Sequence, residues 1–90
     1  MAIGMRLRAF RKAVGASQEE LTELLGGEGN SLWANYEAGD RRISIANALI
    51  LCQRYSVTLD FIYRNQRQSL PADLAEKIRF QELQAERKAK

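Results

Sequence analysis

The side chains that could do chemistry here are few, and they favour hydrogen bonding and charge over bond making. The 90 residues hold no histidine and one cysteine, Cys52. Without histidine the chain lacks the usual group for acid–base work near neutral pH. Without a second cysteine it lacks a zinc-type ligand set. Cys52 falls on an apolar face and reads as a buried filler. Gly26-Gly27-Glu28-Gly29 is a phosphate cradle in its glycines alone: no strand precedes it and no Lys-Ser/Thr pair follows. No catalytic residue, metal or cofactor is therefore expected, and the chain is not expected to be an enzyme. What remains is a group of closely spaced polar residues: Gln18, Asn30, Ser31, Asn35, Arg41 and Arg42. An Asn or Gln amide offers donor and acceptor side by side, and a guanidinium offers a charged fork that matches phosphate.

These residues need elements to position them, and the chain is long enough for one domain with a tail. A hydrophobic fraction of 46% supplies a small core. The net charge of +3 permits a polyanionic partner without demanding one, so a local basic patch would have to carry it. No apolar run approaches the roughly 20 residues that span a bilayer. Arg6, Arg8 and Arg11 interrupt any signal-peptide core near the start. A cytoplasmic location without membrane contact is the expectation, and a lone cysteine suits a reducing compartment.

Apolar residues at Ile3, Leu7, Phe10 and Val14 mark one face of a first helix over about 4–14, stopped by Gly15. Ser17 and Glu20 form a capping box at the start of a second helix. Leu21, Leu24 and Leu25 are its buried stripe, and Gly26 ends it. A glycine turn leads to a third helix within 29–38, regular from Asn30 to Ala38, with Trp33 and Tyr36 on one face and Gly39 as its stop. Ser44 caps a fourth helix whose inward residues are expected to be Ile45, Ala48, Leu49 and Cys52. Thr58 caps a short fifth helix with Leu59 and Ile62 inward. Asn65 to Ser69 reads as a polar linker. A last helix follows from Pro71, placed at its first position, with Leu74, Ile78, Phe80 and Leu83 as apolar points in a charged background. No segment keeps a strand alternation, so the fold class is all-α.

Four pieces in order carry a family resemblance: Leu7-Arg8-x-x-Arg11, Gly15-x-Ser17-Gln18-Glu19-Glu20-Leu21, Tyr36-Glu37-x-Gly39-x-Arg41-Arg42, and Val57-Thr58-Leu59-Asp60-Phe61-Ile62-Tyr63. With them, residues 5–64 resemble the phage-repressor-like (Cro/repressor, XRE-type) helix-turn-helix domains of bacteria and their viruses. The resemblance implies a compact five-helix bundle, here with an additional C-terminal helix. The division is then 1–65 for the DNA-binding domain and 66–90 for the linker and C-terminal helix. It also implies that the third helix lies in the DNA major groove. The family's Gln after the N-cap carries onto Gln18, as a contact to the DNA backbone or a support for a base-reading side chain. The family's helix-one Arg and helix-three Glu carry onto Arg11 and Glu37, a structural pair.

Trp33 takes the place of the family's buried anchor, so the base-reading candidates are its flanking residues on the opposite face: Asn30, Ser31, Ala34 and Asn35. An Asn can pair with adenine N6 and N7, Ser can bond base or phosphate, and Ala can meet a thymine methyl. Arg41 and Arg42 suit phosphate or a narrow minor groove. Three departures from the family stand out. The glycine turn is one residue longer, Glu28 puts an anion near the path of a phosphate, and Leu32 is apolar, either tucked inward or facing a thymine methyl.

The function so implied is a sequence-specific transcriptional regulator, a repressor, of bacterial or phage origin and nucleoid-associated. It would bind double-stranded DNA as a homodimer, pairing either through helix five, where Phe61 and Tyr63 are not both expected inward, or through the segment of Leu74, Ile78 and Leu83. The alternative is an antitoxin-like or adaptor module on the same fold, using the C-terminal helix for a protein partner.

Overall fold

The computed structural model describes residues 3–89. Six helices occupy them: α1 (Ile3–Val14), α2 (Gln18–Leu24), α3 (Ser31–Ala38), α4 (Ile45–Tyr55), α5 (Leu59–Arg64) and α6 (Ala72–Ala89). No strand occurs among the described residues, so the chain is all-helical.

The helix ends follow the local chemistry. Ser17 Oγ accepts from the Glu20 backbone N–H at 3.0 Å, and Glu20 Oε1 accepts from the Ser17 backbone N–H at 3.0 Å. Ser44 caps α4 through the Asn47 N–H, and Thr58 caps α5 through the Phe61 N–H. Gly15, Gly26 and Gly39 follow α1, α2 and α3 with positive φ. Pro71 sits one position before the place expected of it: its carbonyl accepts from the Ala75 N–H at 2.9 Å, so it flanks α6 and Ala72 is the first helical residue.

α1 is the central strut, in contact with α3, α5 and α6. Leu7 and Phe10 are buried on it, and so is Gly4. Gly4 lies against the last turn of α3: a Cβ there would overlap the Glu37 carbonyl oxygen and come within 2.8 Å of that of Tyr36. A bare backbone at position 4 is therefore what lets the two helices touch. Trp33 is fully buried, its ring 5.9 Å from that of Tyr36 and 6.5 Å from that of Phe10. Tyr55 closes the cluster, edge-on to Phe10 at 5.4 Å.

Three further expectations are corrected. On α4, Ile45 and Leu49 point outward, 63% and 47% exposed, while Ala48 and Leu51 are buried. The helix is apolar on most sides, so spacing alone left its phase undetermined. On α5, Phe61 is fully buried, and the half-buried Tyr63 donates its hydroxyl to the Ile43 carbonyl at 2.7 Å. Both aromatics are thus engaged within the monomer. On α6, Leu74 and Ile78 belong to the same core as Leu7 and Phe10, which removes them from any outer pairing surface.

The polar segment after α5 is fastened. Arg67 grips Glu82 of α6 with two bonds, Nη1 to Oε1 at 2.6 Å and Nη2 to Oε2 at 2.7 Å. Its guanidinium lies over the Phe61 ring at 5.4 Å, and Leu70 is buried. Beside this clamp, the buried Arg6 donates Nη2 to the Ile62 carbonyl at 2.9 Å. Burial, with Arg67 nearby, pulls the Arg6 guanidinium below its ordinary pKa.

Candidate nucleic-acid interface

Glu37, at the end of α3, is where α1, α2 and α3 are tied together. Its Oε2 accepts from Arg11 Nε and from Trp33 Nε1, each at 2.6 Å. Its Oε1 accepts from Gln18 Nε2 at 3.1 Å and from Arg11 Nη2 at 3.4 Å. Arg11 Nη1 also donates to the Ala16 carbonyl at 3.2 Å. Four donors on one largely buried carboxylate fix the rotation of α3 about its axis. Removal of the carboxylate would leave a guanidinium and an indole N–H without their partner, which costs far more than an exposed ion pair. Among the described residues no buried side-chain nitrogen or oxygen lacks a hydrogen-bond partner.

Thr22 holds the other end of α3. It is fully buried on α2, and its Oγ1 accepts from the Trp33 N–H at 3.1 Å, one of the orphan donors of the first turn. Its carbonyl accepts from the N–H of Gly27 at 2.9 Å. A Cβ at Gly27 would stand 2.9 Å from the Thr22 methyl, so the turn can pass here only without a side chain. Thr22 thus does for α3 what an N-cap side chain ordinarily does. Asn30, which occupies the N-cap position, makes no capping bond.

The uncapped Asn30 lines a shallow groove of about 550 Å³ with Arg8, Arg11, Ser17, Gln18, Glu19 and Glu37. Asn30 and Ser31 are exposed, and Ala34 and Asn35 are half-buried. Spacings of three and four put Ser31, Ala34 and Asn35 on one side of α3, while Trp33 and Tyr36 are buried. Gln18 is half-buried, with its amide nitrogen directed to Glu37, so its contact is with α3 itself. Leu32 packs against the core, which settles the inward choice for it, and Glu28 is exposed on the turn.

Past α3, the loop folds back on the helix end: the Asn35 carbonyl accepts from the N–H groups of Asp40 at 3.0 Å and Arg41 at 3.3 Å. Arg41 and Arg42 are exposed. The Arg42 guanidinium lies over the Tyr63 ring at 5.6 Å, which anchors it to α5. Cations border α3 from two elements, Arg8 of α1 in the groove and Arg41 with Arg42 in the loop past the helix. The basic field extends along α1: Arg8, then partial burial, then Lys88 push the Lys12 ammonium below its ordinary pKa.

Several contributors gave no signal in the sequence. Arg8 enters there only as part of the Leu7-Arg8-x-x-Arg11 piece, without a role, and only the fold sets it beside Gln18 and Asn30. Asn47 steadies the anchor face by donating Nδ2 to the Tyr36 hydroxyl at 2.9 Å. Thr22 is a polar residue in a leucine stripe, and its bond partner lies eleven residues away.

Among the described residues no helix is long and apolar enough to cross a membrane. No curated protein and no solved structure matches the chain significantly. A family model described as a helix-turn-helix domain matches residues 2–60. The match covers the two clamped helices, their glycine turn and the bundle that supports them, so the chain belongs to the helix-turn-helix domain family, a domain found in XRE/Cro-like DNA-binding regulators.

Proposed function

We propose that this protein is a cytoplasmic, sequence-specific repressor that binds an operator as a homodimer and reads it with α3. The observation that carries the reading is the pairing of a rigid mount with a free face. Glu37 and Thr22 fix α3 at both ends, while Ser31, Ala34 and Asn35 lie on the side away from the buried Trp33 and Tyr36 and Asn30 is exposed at the N-cap. In this reading Asn30 and Asn35 bond base edges, Ser31 bonds base or phosphate, and Ala34 meets a thymine methyl. Arg41, Arg42 and Arg8 hold phosphates, and Gln18 steadies the reading helix through Glu37. Two copies would span half-sites about 34–36 Å apart.

The test is duplex binding against salt, with operators selected from random DNA. Log K should fall with log salt by about 0.9 per neutralised phosphate. Asn35→Ala should weaken the selected site by about 1–3 kcal/mol and leave random DNA almost unaffected. Arg41→Ala should weaken both and reduce the slope by about one. Absence of binding at low salt would sink this reading. It would favour the antitoxin-like or adaptor module, for which exposed Phe80 and Leu83 on α6 are the supporting observation.

A further inference from the structure

α6 lays Leu74, Ile78 and Glu82 against the body of the protein. Its opposite side carries Glu76, Phe80, Leu83 and Arg87, all exposed, at spacings of four, three and four. That is the spacing of a two-helix coiled-coil seam, apolar at its centre and charged at its two ends. Phe80 and Leu83 are 56% and 42% exposed, the large apolar side chains that α6 leaves uncovered. From this stripe we infer that α6 is the dimer surface, and that it pairs antiparallel with α6 of a second copy. The inference rests on the homodimer reading above and names the surface it requires.

The order of charges selects both the occupant and its direction. In an antiparallel pair about a two-fold axis, Phe80 of one copy meets Leu83 of the other, and Glu76 meets Arg87. A parallel pair would set Glu76 on Glu76 and Arg87 on Arg87. The flank gives the same answer. Arg79 and Glu86, both exposed and seven residues apart, share one side of the stripe. Antiparallel pairing brings this flank against its own copy, so Arg79 meets Glu86 and each ion pair occurs twice. The surface is thus self-complementary, as a two-fold interface must be. Helix α5 is no competitor, since Phe61 is buried and Tyr63 is bonded to Ile43. With two large apolar side chains per copy, the interface falls below the usual size of about 800 Å² per partner. Pairing is therefore weak off DNA and becomes complete when two half-sites hold the copies side by side.

Sedimentation equilibrium on the full chain, from low to high micromolar concentration, tests the proposal. The wild type should pass from monomer to dimer. Phe80→Asp should stay monomeric with an unchanged helical spectrum. Glu76→Arg turns two attractive pairs into like-charge pairs and should weaken dimerisation about tenfold. Arg87→Glu should do the same, and the double variant Glu76→Arg/Arg87→Glu should restore the wild-type constant. A wild type monomeric throughout, a dimeric Phe80→Asp, or a double variant no better than the single reversals would overturn the proposal. The DNA reading stands or falls separately. A wild type that shows the charge-swap pattern but binds no duplex at low salt keeps the pairing and loses the DNA function. Phe80→Asp that still binds a single half-site at raised concentration keeps both.

Discussion

Two glutamates in this protein are each gripped by an arginine, and the surroundings of the two clamps differ. Glu37 receives Arg11, Gln18 and Trp33, so one carboxylate joins three helices around the face of α3. Glu82 receives Arg67, which joins α6 to the segment behind α5, while the buried Arg6 bonds a backbone carbonyl nearby. The first clamp sets the angle of α3, whose other side carries Ser31, Ala34 and Asn35. The second presses a helix onto the body and leaves its outer side bare. A carboxylate shared among several donors serves orientation, whereas one held by a single bidentate partner serves attachment.

The contrast predicts unequal responses. Glu37→Ala should have the largest effect, a loss of about 3 kcal/mol in urea unfolding, because Arg11 and the Trp33 N–H lose a buried partner together. An effect below that of Glu82→Ala would break the distinction. Glu82→Ala should cost about 2 kcal/mol. Hydrogen exchange should then speed up along α6 while α2 and α3 keep their protection. Thr22→Val keeps the shape and removes the acceptor for the Trp33 N–H, at a cost of about 1–2 kcal/mol. It should also weaken operator binding, since the start of α3 loses its mount. The smallest effect is the sharpest. The clamps share no hydrogen-bond partner, so Glu37→Ala/Glu82→Ala should equal the sum of the single losses within about 0.5 kcal/mol. A larger coupling energy would mean that orientation and attachment are one network.

The sequence announced the clamp at α3 and was silent about the other, for a physical reason. Helix caps and stops are local: Ser17 with Glu20, Ser44, Thr58 and the glycines act within one turn, so their spacing is readable. Trp33 and Tyr36 mark a buried face for the same reason. Arg11 with Glu37 spans 26 positions, and only the family resemblance linked them. Arg67 and Glu82 had no such guide, and a polar stretch before a helix reads as solvated linker. On α1, nothing local separates the buried Arg6 from the exposed Arg8. On α4, Ile45, Leu49 and Leu51 compete for one inward face, and tertiary packing chose Leu51. The polar side of α3 lies opposite the anchor, as the spacing implied, whereas the Gln18 amide is directed to Glu37.

Trp33 is the chain's one tryptophan, and its indole N–H ends on the carboxylate that also receives Arg11 and Gln18. The protein thus carries a spectroscopic probe at the pivot of α3. A rotation of α3 on meeting DNA would shift the indole–carboxylate geometry and the emission with it. A helix that docks as a rigid body would leave that emission unaltered. Unlabelled protein titrated with duplex can therefore separate induced fit from preformed docking.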